Sequence, residues 1–235
     1  MIATIVNALA VIIGSMIGLL LRRGLGDNLK EAVYVGIGVV SLIIGISMTL
    51  ETTRILYLAL SLVLGGVIGE MLGIEDAILR LGEFLKRRFA ARRSDGQFAY
   101  GFLTASVLYC VGALTIVGAF RAGAEGNYEL ILTKSVMDGF MSILLAGAMG
   151  IGVAFSALTI LVYQGGLTLA AGALRPLVTA LVLSEITAAG GALVIMIGIN
   201  LLGLKKIRTG NFFPALLIIL LFVALDPLLG PLSGL

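Results

Sequence analysis

Charged side chains within apolar segments are the residues of this sequence whose types and surroundings suit chemistry. Glu185 stands first among them, because it lies deep in an apolar stretch and no basic residue stands three or four positions from it. A charge at membrane depth costs about 2.5–3.5 kcal/mol on insertion scales, so its presence needs a reason. We therefore predict that Glu185, with Thr187 near it, lines an ion or substrate pathway. The structural alternative is a protonated glutamate that hydrogen-bonds to a neighbouring helix.

A second candidate is Asp138, which follows Lys134 by four residues. That spacing places the acid and the base on one face of a helix. The two residues either belong to the pathway or form a local ion pair that lets the end of a helix tolerate both charges. We place both among the candidate pathway residues.

Further polar residues fall into two layers of predicted depth. Asn7 and Thr115 fall, with Asp138 and Glu185, in the outer part of their segments, whereas Glu70, Gln164 and Asn200 fall in the inner part. Two polar layers around a middle of small residues are what an alternating-access pathway needs. Interhelical hydrogen bonds in any large bundle would produce the same pattern.

The composition places these residues in a membrane protein. Of 235 residues, 60% are hydrophobic and 12% charged, and the mean hydropathy is +1.15, whereas soluble domains carry about 25% charged residues. The sequence has no histidine and one cysteine, Cys110. These counts exclude Ser-His and Cys-His catalysis, His-ligated metal sites and intrachain disulfides. We expect no enzyme activity, no cofactor, no bound metal and no nucleic-acid partner.

Apolar segments long enough to cross a bilayer, which takes about 20 helical residues, follow one another along the chain. We predict an all-α bundle of about eight transmembrane helices (seven to eight), forming a single transmembrane domain over residues 1–235. The predicted bounds are Ile2–Leu21, Ala32–Leu50, Ile55–Ile74, Phe98–Phe120, two helices within Val136–Leu174 that meet near Phe155–Leu158, Leu177–Leu204 and Phe213–Leu229.

Basic residues predict the orientation of this bundle. With the N-terminus outside, the outer side holds Arg54, Arg121, Lys134 and Arg175, and the cytoplasmic connections hold the rest of the 16 Lys and Arg residues. This bias follows the positive-inside rule.

The longest polar stretch is residues 75–97. Apolar residues recur there at helical spacing with basic residues between them, at Ile74, Ile78, Leu81, Leu85 and Phe89. This pattern predicts a cytoplasmic amphipathic helix on the surface of anionic lipid headgroups. The alternative is a gating or partner-binding element.

Glycine supplies 32 residues, in two kinds of place. Small residues recur every four positions, as Ala10, Gly14 and Gly18 do, which predicts close packing in a compact bundle or at a homo-oligomer interface. Diglycines lie within predicted spans, where each glycine costs about 1 kcal/mol of helix propensity. They are Gly65-Gly66, Gly165-Gly166 and Gly190-Gly191. We predict helix breaks there, as in discontinuous-helix transporters, with packing notches as the alternative.

Several motifs together resemble one bacterial family. They are Asn7-Ala8, Tyr109-Cys110-Val111-Gly112-Ala113-Leu114-Thr115-Ile116-Val117-Gly118, Lys134-Ser135 with Asp138-Gly139, Tyr163-Gln164-Gly165, and Glu185-Ile186-Thr187-Ala188 with Gly190-Gly191. The sequence resembles the YqgA/YdfK-like membrane proteins over nearly its whole length, and the run from Tyr109 to Gly118 is the most specific part. The resemblance implies a multi-pass protein of the bacterial inner membrane, allows a transport role and brings no substrate.

Together these patterns predict a small polytopic transporter, a homo-oligomer in contact with membrane lipids. We expect it to move a proton, a hard cation or a small polar solute coupled to one, because acids and amides suit such ions. The alternatives are a non-transporting membrane scaffold or sensor and an oligomeric ion channel.

Overall fold

The computed structural model describes residues 1–22, 27–89, 98–110, 113–174 and 178–229, and these residues form helices and no strand. The α-helices are α1 (Ile2–Arg22), α2 (Asp27–Thr49), α3 (Ile55–Leu72), α4 (Ile74–Phe89), α5 (Phe98–Cys110), α6 (Ala113–Phe120), α7 (Glu129–Met149), α8 (Gly152–Leu174), α9 (Ala180–Leu201) and α10 (Pro214–Leu229). A π-helical turn (Arg121–Glu125) follows α6, and a 3₁₀ turn (Thr209–Phe212) precedes α10.

Seven stretches of the described chain are helical, long and apolar enough to cross a membrane. They are α1, the part of α2 from Glu31, α3, α7, α8, α9 and the 3₁₀ turn together with α10. The helix Phe98–Cys110 and the stretch Leu114–Glu125 pass the same test only together, with a bend of 60° between them. They form either a broken span, which would be the eighth, or a re-entrant loop. The prediction of an all-α polytopic bundle is confirmed.

Glycines bring two pairs of helices into close contact. In α1, a Cβ at Gly14 would lie 2.2 Å from the Gly139 carbonyl oxygen of α7. In α9, a Cβ at Gly198 would lie 2.9 Å from the Gly38 carbonyl oxygen of α2. Only glycine lets backbones approach this closely, and in lipid such packing takes the place of a hydrophobic driving force between helices.

The connections between helices lie at two ends of this bundle. The N-terminal end holds Met1, the α2–α3 connection and the π-helical turn before α7. The basic end holds Arg22, the α7–α8 connection and the α9–α10 connection with Lys205 and Lys206. These two names are used below for the two ends.

The predicted helix breaks at the diglycines are wrong, because α3, α8 and α9 continue through Gly65-Gly66, Gly165-Gly166 and Gly190-Gly191. Two of the sites are packing notches instead. A Cβ at Gly65 would lie 2.5 Å from the Ala215 nitrogen of α10, and one at Gly191 would lie 2.6 Å from the Gly45 carbonyl oxygen of α2. An unbroken helix also satisfies its own backbone hydrogen bonds, which the hydrocarbon region requires.

The meeting point of α7 and α8 also differs from the prediction. α7 ends at Met149 and α8 begins at Gly152, so the turn lies at Gly150 and not near Phe155–Leu158. Gly150 has a φ of 85°, which glycine adopts readily because it has no Cβ. The shift moves Gln164 from the predicted inner layer to the middle of its helix.

α4 covers the first part of the predicted amphipathic segment, whereas residues 90–97 lie outside the described chain. It packs on α5 and on the 3₁₀ turn. Leu81 and Phe84 stay exposed on its surface. Contact of this face with lipid headgroups stays a prediction.

Candidate functional site

Four buried polar side chains from three helices form what we call the Asp138 network: Asn7, Lys134, Asp138 and Gln164. The Asn7 amide nitrogen donates to Asp138 Oδ2 over 3.1 Å and to Gln164 Oε1 over 3.0 Å. Lys134 Nζ donates to the same Asp138 oxygen from one helical turn away. The side chains of Lys134 and Asp138 are only 7% and 10% exposed. Asn7 of α1 therefore links the Asp138 carboxylate of α7 to Gln164 of α8.

Two threonines that the sequence analysis missed extend this network. Gln164 Nε2 donates to Thr4 Oγ1 over 3.1 Å, and Thr168 Oγ1 donates to the Gln164 carbonyl oxygen over 2.8 Å. Both threonines could have been predicted from helical spacing, because Thr4 precedes Asn7 by three residues and Thr168 follows Gln164 by four. Asn7 Oδ1 is buried and has no hydrogen-bond partner among the described residues.

A cavity of about 250 Å³ lies beside the network, and we call it the Asp138 cavity. Its polar lining residues are Glu51, Tyr109, Thr115, Lys134, Asp138 and Thr187. The Thr187 hydroxyl is buried and lacks a partner within the described part of the chain. The cavity thus offers an ammonium, two carboxyl groups and hydroxyl groups to a small polar solute.

Tyr109 links α5 to α7 at this cavity. Its hydroxyl lies 2.7 Å from Ser142 Oγ, and Ser142 Oγ donates to the Asp138 carbonyl oxygen over 2.7 Å. Lys134 Nζ lies 5.8 Å from the centre of the Tyr109 ring, within the range of a cation–π interaction. Thr115 Oγ1 donates to the Tyr109 carbonyl oxygen over 3.1 Å, and this carbonyl near the end of α5 thereby gains a hydrogen-bond partner. Tyr109 and Ser142 therefore help to position the Lys134–Asp138 pair.

The structure places Glu185 apart from the Asp138 network. Its fully buried carboxylate accepts hydrogen bonds from Thr52 Oγ1 over 2.6 Å and from the backbone nitrogens of Thr53 and Arg54 over 2.7 and 3.1 Å. These donors belong to the α2–α3 connection, at the start of α3, where backbone N–H groups have no partner within the helix. Glu185 therefore ties α9 to this connection, which is close to the structural alternative considered for it above.

Glu70 and Asn200 lie at the basic end and do not join the Asp138 network. Glu70 is exposed and pairs with Arg208 at 2.8 Å, and it also accepts a hydrogen bond from Asn211. Asn200 holds the α9–α10 connection, because its side chain donates to the Ile207 carbonyl oxygen over 2.8 Å and accepts from the Ile207 nitrogen over 2.6 Å. The predicted inner layer is thus largely a set of contacts that fix this connection.

A second cavity, of about 390 Å³, opens toward the basic end, and we call it the Lys206 cavity. Helices α2, α5, α7 and α9 all line both cavities. Buried Ile37, Ala105 and Leu145 belong to one core cluster, and each stands along its own helix between residues of the two cavities. An apolar layer therefore separates the two cavities along one helix interface.

Comparison with known proteins places the chain among membrane proteins. The family model described as "Protein of unknown function (DUF554)" matches residues 2–224. The chain is 32% identical over 223 residues to "Uncharacterized membrane protein YdfK" of Bacillus subtilis (strain 168), which covers 93% of each protein. It is 29% identical over 217 residues to "Uncharacterized protein YqgA" of Escherichia coli (strain K12), covering 91% of this chain and 92% of that protein. No solved structure matches it.

Proposed function

This chain belongs to the DUF554 family, and from its buried polar site we propose that it is a membrane transporter. The proposed cargo is a small polar solute that moves together with a proton. The observation that carries the proposal is the Lys134–Asp138 pair, buried beside a cavity and hydrogen-bonded across three helices.

A buried ion pair is expensive to retain for stability alone. The desolvation of two charges often exceeds their mutual attraction, so apolar residues of similar size frequently stabilise a fold equally well or better. Charged residues at membrane depth commonly mark ion pathways and proton relays for the same reason. The pair also faces a cavity, where solute could reach it, which a purely structural pair does not require.

The surroundings of Asp138 favour a proton over a hard metal cation as the coupling ion. A cation such as Ca²⁺ is held by six to eight oxygen ligands, several of them anionic. Lys134 already occupies Asp138 Oδ2 with its own positive charge, and no cluster of three Asp, Glu, Cys or His side chains suited to a metal occurs among the described residues. Protonation of Asp138 needs neither ligands nor space, and it would release Lys134 to bind a solute.

The two cavities suggest the route of the solute. We place the Asp138 cavity on the outer side and the Lys206 cavity on the cytoplasmic side, as the positive-inside rule favours for the basic end. Transport then requires the layer of Ile37, Ala105 and Leu145 to open in alternation with the mouth of the Asp138 cavity. This is the alternating access of a secondary transporter.

Purified protein in liposomes that contain a pH-sensitive dye tests the proposal. Amino acids, carboxylates, amines and polyols are added in turn, and we expect at least one class to drive proton movement above that in protein-free liposomes. Folded protein that moves no proton with any of these solutes, under either direction of an imposed pH gradient, would overturn the proposal and favour the membrane scaffold.

A further inference from the structure

A separate binding site follows from the Lys206 cavity. We infer that this cavity binds a phosphate group, and that the group belongs to the headgroup of an anionic phospholipid. Basic pockets between transmembrane helices hold anionic headgroups in other membrane proteins. The inference does not rest on transport, since a scaffold could bind lipid in the same way; in a transporter the lipid and the solute would occupy this cavity in turn.

The lysines of this cavity are carried by a connection that the protein holds in place. Asn200 binds both backbone groups of Ile207, and the Thr209 nitrogen donates to the Ile207 carbonyl oxygen over 2.9 Å. Lys206 Nζ lies 5.5 Å from the centre of the Tyr100 ring. An anion that binds here therefore needs to order little backbone, which favours affinity.

The charge presented at the cavity is positive. Lys205 and Lys206 line it and are exposed. Glu75 is the acidic lining residue, but it is 3% exposed, and its Oε2 accepts a hydrogen bond from the Gly210 nitrogen over 2.9 Å. Burial raises the pKa of Glu75, so its carboxyl is less readily charged than an ordinary glutamate. Two lysines thus line the cavity together with one acid, and that acid is engaged with backbone.

The rest of the lining favours a phospholipid over a free phosphate ion. Leu103, Met149 and Ile197 form apolar walls in a cavity of about 390 Å³, which is much larger than a phosphate group. Tyr34 and Tyr100 also line it, and tyrosine is enriched at the level of lipid headgroups. A phospholipid would cover these walls with its glycerol and the first part of its chains, whereas inorganic phosphate would leave them bare.

Thermal unfolding of the full chain in a neutral detergent tests this site. We expect phosphatidylglycerol to raise the unfolding midpoint by roughly 5 °C at saturation, and phosphatidylcholine to raise it much less. In the double variant Lys205→Gln and Lys206→Gln, most of the difference between the two lipids should be lost. Inorganic phosphate is the third ligand, and a shift with it but not with phosphatidylglycerol would contradict the assignment to a lipid.

The matched control removes two positive charges elsewhere. Arg54→Gln with Arg121→Gln changes the net charge equally, both residues lie at the N-terminal end, and neither lines the cavity. This control should keep the full preference for phosphatidylglycerol. Equal shifts with both lipids in the wild type, or an equal loss of preference in both double variants, would overturn the inference.

Discussion

Replacement of Asp138 by Asn is expected to abolish solute-driven proton movement in proteoliposomes. Asparagine can still accept a hydrogen bond from Asn7 or Lys134, but it cannot take up or release a proton. In the proposed mechanism Asp138 carries the coupling proton, and the amides of Asn7 and Gln164 cannot replace it because they do not titrate. Proton movement in the variant should fall to the level of protein-free liposomes.

Loss of the Asp138 carboxylate also leaves Lys134 buried without its ion-pair partner. The effect of the substitution on stability must therefore be measured separately from its effect on proton movement. Removal of one partner of a buried pair typically costs about 3–5 kcal/mol. The double variant Lys134→Gln with Asp138→Asn removes both charges, and we expect it to unfold near the wild-type temperature while remaining inactive. Asp76→Asn is the matched control, since it loses an exposed ion pair with Arg208 and Asp76 does not line the Asp138 cavity. Wild-type proton movement in a folded Asp138→Asn protein would contradict the proposed role.

Replacement of Glu185 by Gln is expected to destabilise the protein and to leave transport per folded molecule unchanged. The amide has one acceptor oxygen, whereas the carboxylate receives donors from the Thr52 hydroxyl and from the Thr53 and Arg54 nitrogens on its two oxygens. At least one buried donor then faces an NH₂ group, and a buried donor left without an acceptor costs about 1–3 kcal/mol. The unfolding midpoint should fall by roughly 5–10 °C.

The exposed Glu125 provides the matched control for Glu185. Glu125→Gln makes the same chemical change in the π-helical turn at the N-terminal end, and it should leave the unfolding midpoint unchanged. A Glu185→Gln protein that unfolds like the wild type but moves no protons would place Glu185 in the pathway and contradict the structural role.

The helical bundle could be predicted from the sequence because each membrane helix is indicated by a local run of apolar residues. A run of apolar residues predicts a membrane helix wherever it packs, so the number of spans followed from length and composition alone. The Lys134–Asp138 pair could also be predicted from the sequence, because both residues lie on one helix four positions apart. The contacts of Asn7 with Asp138 and Gln164 could not be predicted in this way, since these partners stand 131 and 157 positions from Asn7 along the chain.

The glycines and Glu185 show why the remainder was out of reach. The sequence shows that a glycine lowers helix propensity, but it does not show which neighbouring backbone packs against that glycine. Gly65 and Gly191 therefore suggested helix breaks where the structure has packing notches. Glu185 has no partner on its own helix, and its donors come from the α2–α3 connection. Two of these donors are backbone nitrogens, which every residue except proline has, so the residue types gave no sign of them. The predicted depth of Gln164 was wrong because the turn between α7 and α8 lies at Gly150. The position of that turn depends on the positive φ of this one residue.

The central claim is that the Asp138 cavity opens to each side of the membrane in turn, and cysteine accessibility tests it most directly. Cys110 is the chain's only cysteine, so a Cys110→Ala background is free of thiols. Thr187→Cys places a thiol on the cavity wall, whereas the neighbouring Ala188→Cys places one in the fully buried contact with Tyr57 and Leu58. A membrane-impermeant thiol reagent is added to oriented vesicles from one side or the other. We predict that the cysteine at position 187 reacts from both sides and the one at 188 from neither. Reaction at 187 from one side only, or from neither, would contradict the account.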